Sequence, residues 1–277
     1  MRYREFLKSE LRDDIPSSLP LPSGFHLVGH VALLHLNFDS MKYARMIGDA
    51  TLEFDKRIKS VLVKTGPTQG RTRKPSYELV AGDCNTITTH IERGIRFRLD
   101  PASITFSGGN KKERIRLARL VKPKENVVDM FSCVGQFALH IAKATDVKVT
   151  AIEINPVAFD FLTENIKLNG FDDRVTAVLG DCRKVHPINS ADRVIMGYLH
   201  DTISYLPAAV ESLVGNGGTI HMHMALPKTE TKRIVHEIDR VCLGLGFQTT
   251  IEILQIKNYS PGIEHYVFDI QMISTKA

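Results

Sequence analysis

VVDMFSCVGQF, Val127 to Phe137, decides the fold. Its first residues form a short apolar run closed by an acid, the pattern of a strand buried on both faces. A tight turn with one glycine, Gly135, follows, and GQFALHIAKA (135–144) then reads as a helix. Strand, turn and helix in this order open a nucleotide-type α/β sheet, in which backbone N–H groups and a helix start face the ligand.

Beyond this stretch the alternation persists. KVTAIEI (148–154) reads as a strand, and PVAFDFLTENIKLNG (156–170) as a helix with Pro156 in its first turn and Gly170 at its end. VTAVLGD (175–181) and DRVIMG (192–197) are strands, ISYLPAAVESLVG (203–215) a helix and GTIHMHM (218–224) a strand. TETKRIVHEIDRVCLGLG (229–246) is the last helix, and QTTIEILQIK and HYVFDIQMI close the chain as two strands with no helix between them. The expected fold is α/β, a Rossmann-like, doubly wound, mostly parallel sheet with an antiparallel edge, over residues 105–277.

Upstream the texture differs. A short helix within 1–22 ends in SSLPLP, HLVGHVALLHL (26–36) reads as one strand, and SMKYARMIGDATLEFDKRI (40–58) as one amphipathic helix. Four short strand-like segments follow between 59 and 100, so residues 1–104 are expected to form a small α+β domain. NKKERIRLARLV (110–121) reads as a helix stopped by Pro123.

Acids stand at three successive strand ends: Asp129, Glu153 and Asp181. Glu153 is placed to accept from ribose hydroxyls, and Asp181 from the exocyclic amine of an adenine. Helix capping is the plain alternative for such residues. A turn with one glycine suits a nucleoside cofactor without a pyrophosphate, which favours S-adenosylmethionine (AdoMet) over a dinucleotide. Phe131, at the same strand end as Asp129, and Gly197, at a fourth strand end, join the expected cofactor site with Gly135.

The chain has 277 residues, 43% hydrophobic and 24% charged, with net charge +5. The basic runs GRTRKP (70–75), RGIRFR (93–98) and NKKERIRLARLVKPK (110–124) point to a polyanion, with a solvated helix face as the plain alternative. Arg114 and Arg116 carry forks suited to a carboxylate or a phosphate. The longest apolar runs are strand-length, so no membrane span is expected. The charged N-terminus does not resemble a signal peptide. Four scattered cysteines without a C-x-x-C pair suggest free thiols and a cytoplasmic setting. His221 and His223 share one strand face, but no third ligand accompanies them, so no metal is expected. Nothing suggests an obligatory protein partner.

VVDMFSCVGQF, AIEINPVAFDFLTENIKLN (151–169) and DRVIMG resemble the class I tRNA enzymes that modify the guanine 3′ of the anticodon. These are the guanine-N1 methyltransferases and the wybutosine-pathway aminocarboxypropyltransferases. GRTRKPSYELVAG, RFRLDPASITFSGGNKKERIR, IHMH and KNYSPGIEHYVFD extend the resemblance over roughly residues 66–270. The methyltransferases carry Asn-Leu-Pro after the fourth strand. Here Gly197-Tyr198 followed by His200 looks like the aminocarboxypropyltransferase, in a stand-alone archaeal form.

That resemblance implies transfer of the 3-amino-3-carboxypropyl group of AdoMet to 4-demethylwyosine in the anticodon loop of tRNA-Phe, with release of 5′-methylthioadenosine. It makes Glu113 the general base, against an ion pair with Arg116 on a surface helix as the plain alternative. Ser107 matches a segment lining the cofactor pocket, although Gly108 stands where the family has Pro. Arg71, Arg73, Tyr198 and His200 are assigned to the tRNA substrate. Cys133 replaces the family's usual Gly, where a Cβ meets a positive φ. Tyr259 and His265 match the closing-strand motif. The rivals are a guanine-N1 methyltransferase and a tRNA-binding protein without catalysis.

Overall fold

The structure is a computed structural model that describes residues 1–275. It divides into two compact units, Met1–Gly108 and the chain from Gly109 on. The division falls four residues beyond the expected boundary because the segment after 104 packs with the first unit. Ile104 and Phe106 are buried, and Phe106 lies edge-on to His90 and tilted on Phe97.

In the first unit, α1 (Tyr3–Glu10) precedes two short strands, β1 (His26–Val28) and β2 (Val31–Leu34). The single strand expected over 26–36 is thus a hairpin, reversed at Gly29-His30, whose two strands pair antiparallel. The single helix expected over 40–58 is also two, α2 (Phe38–Met41) and α3 (Ala44–Phe54). It stops short of 58 because Asp55 turns extended and accepts from the Arg57 backbone N–H at 3.0 Å. Next come β3 (Ser60–Gln69) and β4 (Lys74–Gly82), giving a sheet of order β1-β2-β3-β4 in which β2 and β3 are parallel. A separate hairpin, β5 (Thr88–Glu92) and β6 (Ile95–Leu99), buries Ile95, Phe97 and Leu99 and exposes Arg96 and Arg98. Leu7, Leu34, Ile47, Val61 and Val63 fill the core, and Tyr3 stacks edge-on against Phe25 and Phe54.

The second unit opens with α4 (Lys111–Leu120) and β7 (Asn126–Asp129). Then follow α5 (Ala138–Ala144), β8 (Lys148–Glu153), α6 (Pro156–Leu168), β9 (Val175–Leu179) and α7 (Cys182–Val185). The chain continues through β10 (Arg193–Met196), α8 (Leu206–Ser212), β11 (Gly217–Leu226), α9 (Thr231–Gly244), β12 (Phe247–Ser260) and β13 (Ile263–Ser274). The sheet runs β12-β13-β11-β10-β7-β8-β9. β9, β8, β7, β10 and β11 are parallel, and β13 pairs antiparallel with both β11 and β12. The α/β class with an antiparallel edge is as the sequence predicts. Strand order reverses between β7 and β10, and such switch points form ligand crevices at the carboxyl ends of the strands.

Helix α6 shows how local sequence positions these ends. The Asn155 side chain accepts from the Val157 N–H at 3.0 Å, and Pro156 occupies the first turn. A cap of this kind is worth about 1 kcal/mol. The buried face of α6, including Leu162 and Ile166, packs into the core. Among the described residues, no helix is long and apolar enough to cross a membrane.

Candidate active site

Four neighbouring strands, β10, β7, β8 and β9, end side by side at the carboxyl edge of the sheet. Asp129 ends β7, Glu153 ends β8, Asp181 lies just past β9 and Gly197 just past β10. Asp129 and Glu153 are buried, at 0% and 9% exposure. Glu153 ties the crevice together: Oε2 accepts from the Cys133 N–H and Oε1 from the Asn155 N–H, both at 2.7 Å. Burial pushes its carboxyl up, and these backbone donors oppose that shift.

Asp129 Oδ1 accepts from the Phe131 N–H at 3.3 Å, while Oδ2 is buried with no hydrogen-bond partner. Burial, and to a lesser degree the nearby Glu153 charge, push Asp129 up to about 7. A buried carboxylate oxygen without a donor marks a place suited to a ligand N–H or O–H.

Four of the turn's N–H groups are taken inside the protein: the Gly135 and Gln136 N–H groups both donate to Ser132 O, while Cys133 and Phe131 serve the two acids. Gly135 is required by φ +93° and by packing, because a Cβ there would meet Leu139 at 2.8 Å and Leu162 at 3.1 Å. Cys133 holds φ +50°, a conformation few non-glycine residues adopt. Burial pushes its thiol up to about 12, so it carries no reactive thiolate.

Asp181 caps α7 through the Arg183 N–H at 3.1 Å and takes both oxygens of its carboxylate to the Arg183 guanidinium, at 3.1 and 2.8 Å. The capping role weighed for these acids is therefore present at Asp181. Arg183 also covers the Tyr205 ring, its guanidinium carbon 4.7 Å from the centroid.

Past β10 an aromatic wall forms. Phe131 stacks on Tyr198 with centroids 5.1 Å apart and meets Tyr205 edge-on. The Tyr198 carbonyl accepts from the Thr202 hydroxyl, and the His200 Nε2 lies 3.2 Å from the Tyr259 hydroxyl. Phe131, Tyr198 and His200 are thereby brought together. A Cβ on Gly197 would stand 3.1 Å from the Phe137 ring. Phe137 thus closes in on the place where a side chain at 197 would project.

Helix α4 carries a second cluster. Glu113, 1% exposed, takes the Arg116 guanidinium on both oxygens, at 2.8 and 2.7 Å. The i,i+3 pair exists, on the inner face of the helix, with the Glu113 side chain buried and the Arg116 side chain 26% exposed. Arg116 also donates to Asp269, at 2.6 and 3.2 Å, so its fork is occupied inside the protein rather than offered to a cofactor carboxylate or a phosphate. His221 Nδ1 lies 2.5 Å from Asp269, and its Nε2 lies 2.6 Å from Arg193 Nη1. A guanidinium only donates, so His221 Nε2 accepts, and the ring is the neutral tautomer with its proton on Nδ1. Burial lowers the His221 pKa in keeping with this, against the opposing pull of Asp269. Arg193 then pairs with Glu125 at 2.7 and 3.1 Å.

Arg114 is 1% exposed and donates to the Gln136 side chain at 2.9 Å, which places it beside the nucleotide turn. Lys111, Lys112 and Arg119 are exposed on the same helix. Ser107 and the pair Arg71 and Arg73 belong to the first unit. Ser107 is half-buried, Arg71 is exposed at the β3–β4 tip, and Arg73 there has φ +56°. Among the described residues no group of His, Cys, Asp and Glu is arranged to hold a metal ion, and the cysteines are free.

Sequence reasoning missed Glu125, Gln136, Phe137, Arg193 and Asp269. A signal existed for two of them: Arg193 and Asp269 interrupt apolar strands, and buried charges come paired.

Comparison with known proteins adds the following. The family model described as the TRM5/TYW2 methyltransferase domain matches residues 88–250, and that of the TYW2 N-terminal domain matches residues 3–86. A tRNA(Phe) (4-demethylwyosine(37)-C(7)) aminocarboxypropyltransferase of Pyrococcus horikoshii is 39% identical over 99% of this chain and 97% of its own. A tRNA (guanine(37)-N(1))-methyltransferase, Trm5b, of Pyrococcus abyssi is 33% identical over 98% of this chain and 80% of its own. The crystal structure of P. horikoshii TYW2 in complex with MeSAdo superposes with TM-score 0.85 at 35% identity, covering 98% of this chain and 99% of that one.

Proposed function

The chain belongs to the TRM5/TYW2 family, and from that membership we propose that it transfers the 3-amino-3-carboxypropyl group of AdoMet to 4-demethylwyosine in tRNA-Phe. The observation that carries this reading is the match over nearly the whole of both chains to an aminocarboxypropyltransferase, N-terminal domain included. Gly197-Tyr198 in place of the methyltransferases' Asn-Leu-Pro supports the same branch.

The residues fit the group donor. The orphaned Asp129 Oδ2 and the remaining lone pairs of Glu153 suit the hydroxyl and amine groups of a nucleoside, and Phe131 with Tyr198 supplies a flat apolar wall. When bound, AdoMet supplies a sulfonium whose γ-carbon is open to displacement, with 5′-methylthioadenosine as the leaving group. Phe137, close against Gly197, shapes the wall past β10 that faces the acceptor base. Glu113 takes the proton that the attacked ring carbon must lose, its carboxylate plane fixed by Arg116. Orientation is the main lever, since either activated carbon reacts by in-line displacement.

Arg71, Arg73, Lys111, Lys112 and Arg119 bind the tRNA backbone, and Tyr198 and His200 face the anticodon loop. The enzyme works in the cytoplasm without an obligatory protein partner. To test the reaction, enzyme, AdoMet and tRNA-Phe bearing 4-demethylwyosine are incubated and the small molecules chromatographed. Methylthioadenosine is expected; S-adenosylhomocysteine would assign the chain to the methyltransferase reaction instead.

A further inference from the structure

Two buried imidazoles in the catalytic unit have no role so far. His223 in β11 and His265 in β13 are 1% and 0% exposed. His223 Nδ1 and His265 Nε2 are 2.9 Å apart, so one proton lies between them. His223 Nε2 and His265 Nδ1 are left buried without a hydrogen-bond partner. Orphaned polar atoms at this depth are costly, and two in one pair ask for an explanation. One is at hand: His223 Nε2 lies 3.8 Å from Glu113 Oε1. The Phe137 ring, which also approaches Gly197, lies 5.4 Å from the His223 ring between centroids.

The shared proton allows two arrangements. In the first, His265 Nε2–H donates to His223 Nδ1, and His223 carries its own proton on Nε2, toward Glu113. In the second, His223 Nδ1–H donates to His265, and the bare lone pair of His223 Nε2 faces a carboxylate in a dry site. Electrostatics favours the first, since a lone pair turned to a buried carboxylate is repelled. Both rings are neutral. Burial is the leading cause in each case, with Lys257 beside His265, and with His265, His221 and Arg116 facing His223 against the opposing pull of Asp269.

We propose that His223 is a positioning residue for Glu113, its Nε2–H aimed at Oε1 by the hydrogen bond that His265 donates to its other nitrogen. The proposal rests on Glu113 being the base of the reaction above. A carboxylate offers about four lone-pair positions. Arg116 occupies two of them, and His223, drawn in from 3.8 Å, takes a third in the reacting complex, which leaves one defined lone pair to receive the proton from the substrate. The 3.8 Å separation closes to a hydrogen bond when substrate is bound, as catalytic hydrogen bonds commonly do.

The first test reads the wild-type protein. Nitrogen-15 NMR of the histidine side chains should find His223 and His265 neutral and protonated on Nε2; protons on Nδ1 in both would overturn the proposal. The second compares variants whose folding is checked by melting. His223→Leu should keep its affinity for AdoMet and tRNA while single-turnover transfer slows roughly tenfold to a hundredfold. His223→Gln, with an amide N–H near the ε position, should recover most of that rate, and His223→Asn should not. Wild-type rates in His223→Leu, or better rescue by Asn than by Gln, would overturn it.

On a Glu113→Gln background, His223→Leu should add little further loss, because the two act as one unit. A full additional loss would show that His223 does not act through Glu113. Wild-type enzyme that produces S-adenosylhomocysteine would sink the reaction proposed above and leave these variants to be compared on methyl transfer.

Discussion

The second unit holds two acidic regions built by opposite means. At the nucleotide turn, Asp129 and Glu153 are engaged by backbone N–H groups of their own strand ends and of the neighbouring turn. Around α4, Glu113, Asp269 and Glu125 are engaged by guanidinium groups, and Arg116 bridges to a partner 153 positions away. The first region shapes a crevice and leaves an oxygen over for a ligand. The second fastens a helix to a sheet and leaves over little beyond one lone pair of Glu113. Changes in the first should be felt in binding; in the second, changes at Asp269 and Glu125 should be felt in stability and changes at Glu113 in turnover.

The largest expected effect is at Asp269. Asp269→Ala leaves Arg116 and His221 without their buried acceptor, which should destabilise the protein by about 3–5 kcal/mol. Denaturant unfolding reads the loss, and the folded fraction should bind AdoMet as the wild type does. A loss under about 1 kcal/mol would mean that the network does not hold the unit together.

Acid separates the two regions, because they titrate in opposite senses. Burial acts to raise Asp269, but its His221 and Arg116 hydrogen bonds outweigh that and hold it at about 2. Its contribution is present above its ordinary value of 3.8 and fades as pH falls through about 2. Asp129, pushed up to about 7, stabilises the fold as the neutral acid. That contribution is complete below 3.8 and fades as pH rises through about 7. Relative to Asp269→Asn, the wild type should lose stability on going from about pH 4 to 2; relative to Asp129→Asn, on going from about pH 4 to 7. Parallel stability curves for wild type and both variants would remove the contrast.

Next in size is Glu153→Ala, which should weaken AdoMet binding by roughly 1–3 kcal/mol. Calorimetric titration measures it, and an unchanged affinity would take Glu153 out of the site. On α4 the exposed and buried basic residues should separate. Reversing Lys111, Lys112 and Arg119 to Glu should flatten the logarithmic salt dependence of tRNA binding, by about 0.7–0.9 for each phosphate no longer neutralised. An unchanged slope would make them a solvated face. The smallest effect is at Cys133. With φ at +50°, Cys133→Val should be less stable than Cys133→Gly by about 1–2 kcal/mol. Equal melting temperatures would show that the turn relaxes around the side chain.

The same contrast explains what the sequence reveals. The nucleotide turn is legible because its parts follow one another along the chain: strand, acid, glycine, helix, then the next strand and its acid. The order of elements in the catalytic unit is legible for the same reason. The hairpin inside 26–36 is not, because Gly29 in an apolar run is compatible with a continuous strand. Arg116 looks like a ligand-binding residue, since a fork on a helix face carries no mark of Asp269 on the last strand. Phe137 looks like the start of a helix, and only β10 lying beside β7 brings it against Gly197. Neighbours that depend on strand order cannot be read along a sequence.

In the proposed reaction the γ-carbon of the methionine moiety, and not the methyl group, reaches the base. AdoMet carrying carbon-13 at the γ-carbon, and separately at the methyl group, is supplied with tRNA-Phe bearing 4-demethylwyosine, and the modified nucleoside is weighed. The expected product is a nucleoside heavier by one aminocarboxypropyl group, labelled only from the γ-carbon donor. A nucleoside heavier by one methyl group, labelled only from the methyl donor, would contradict it.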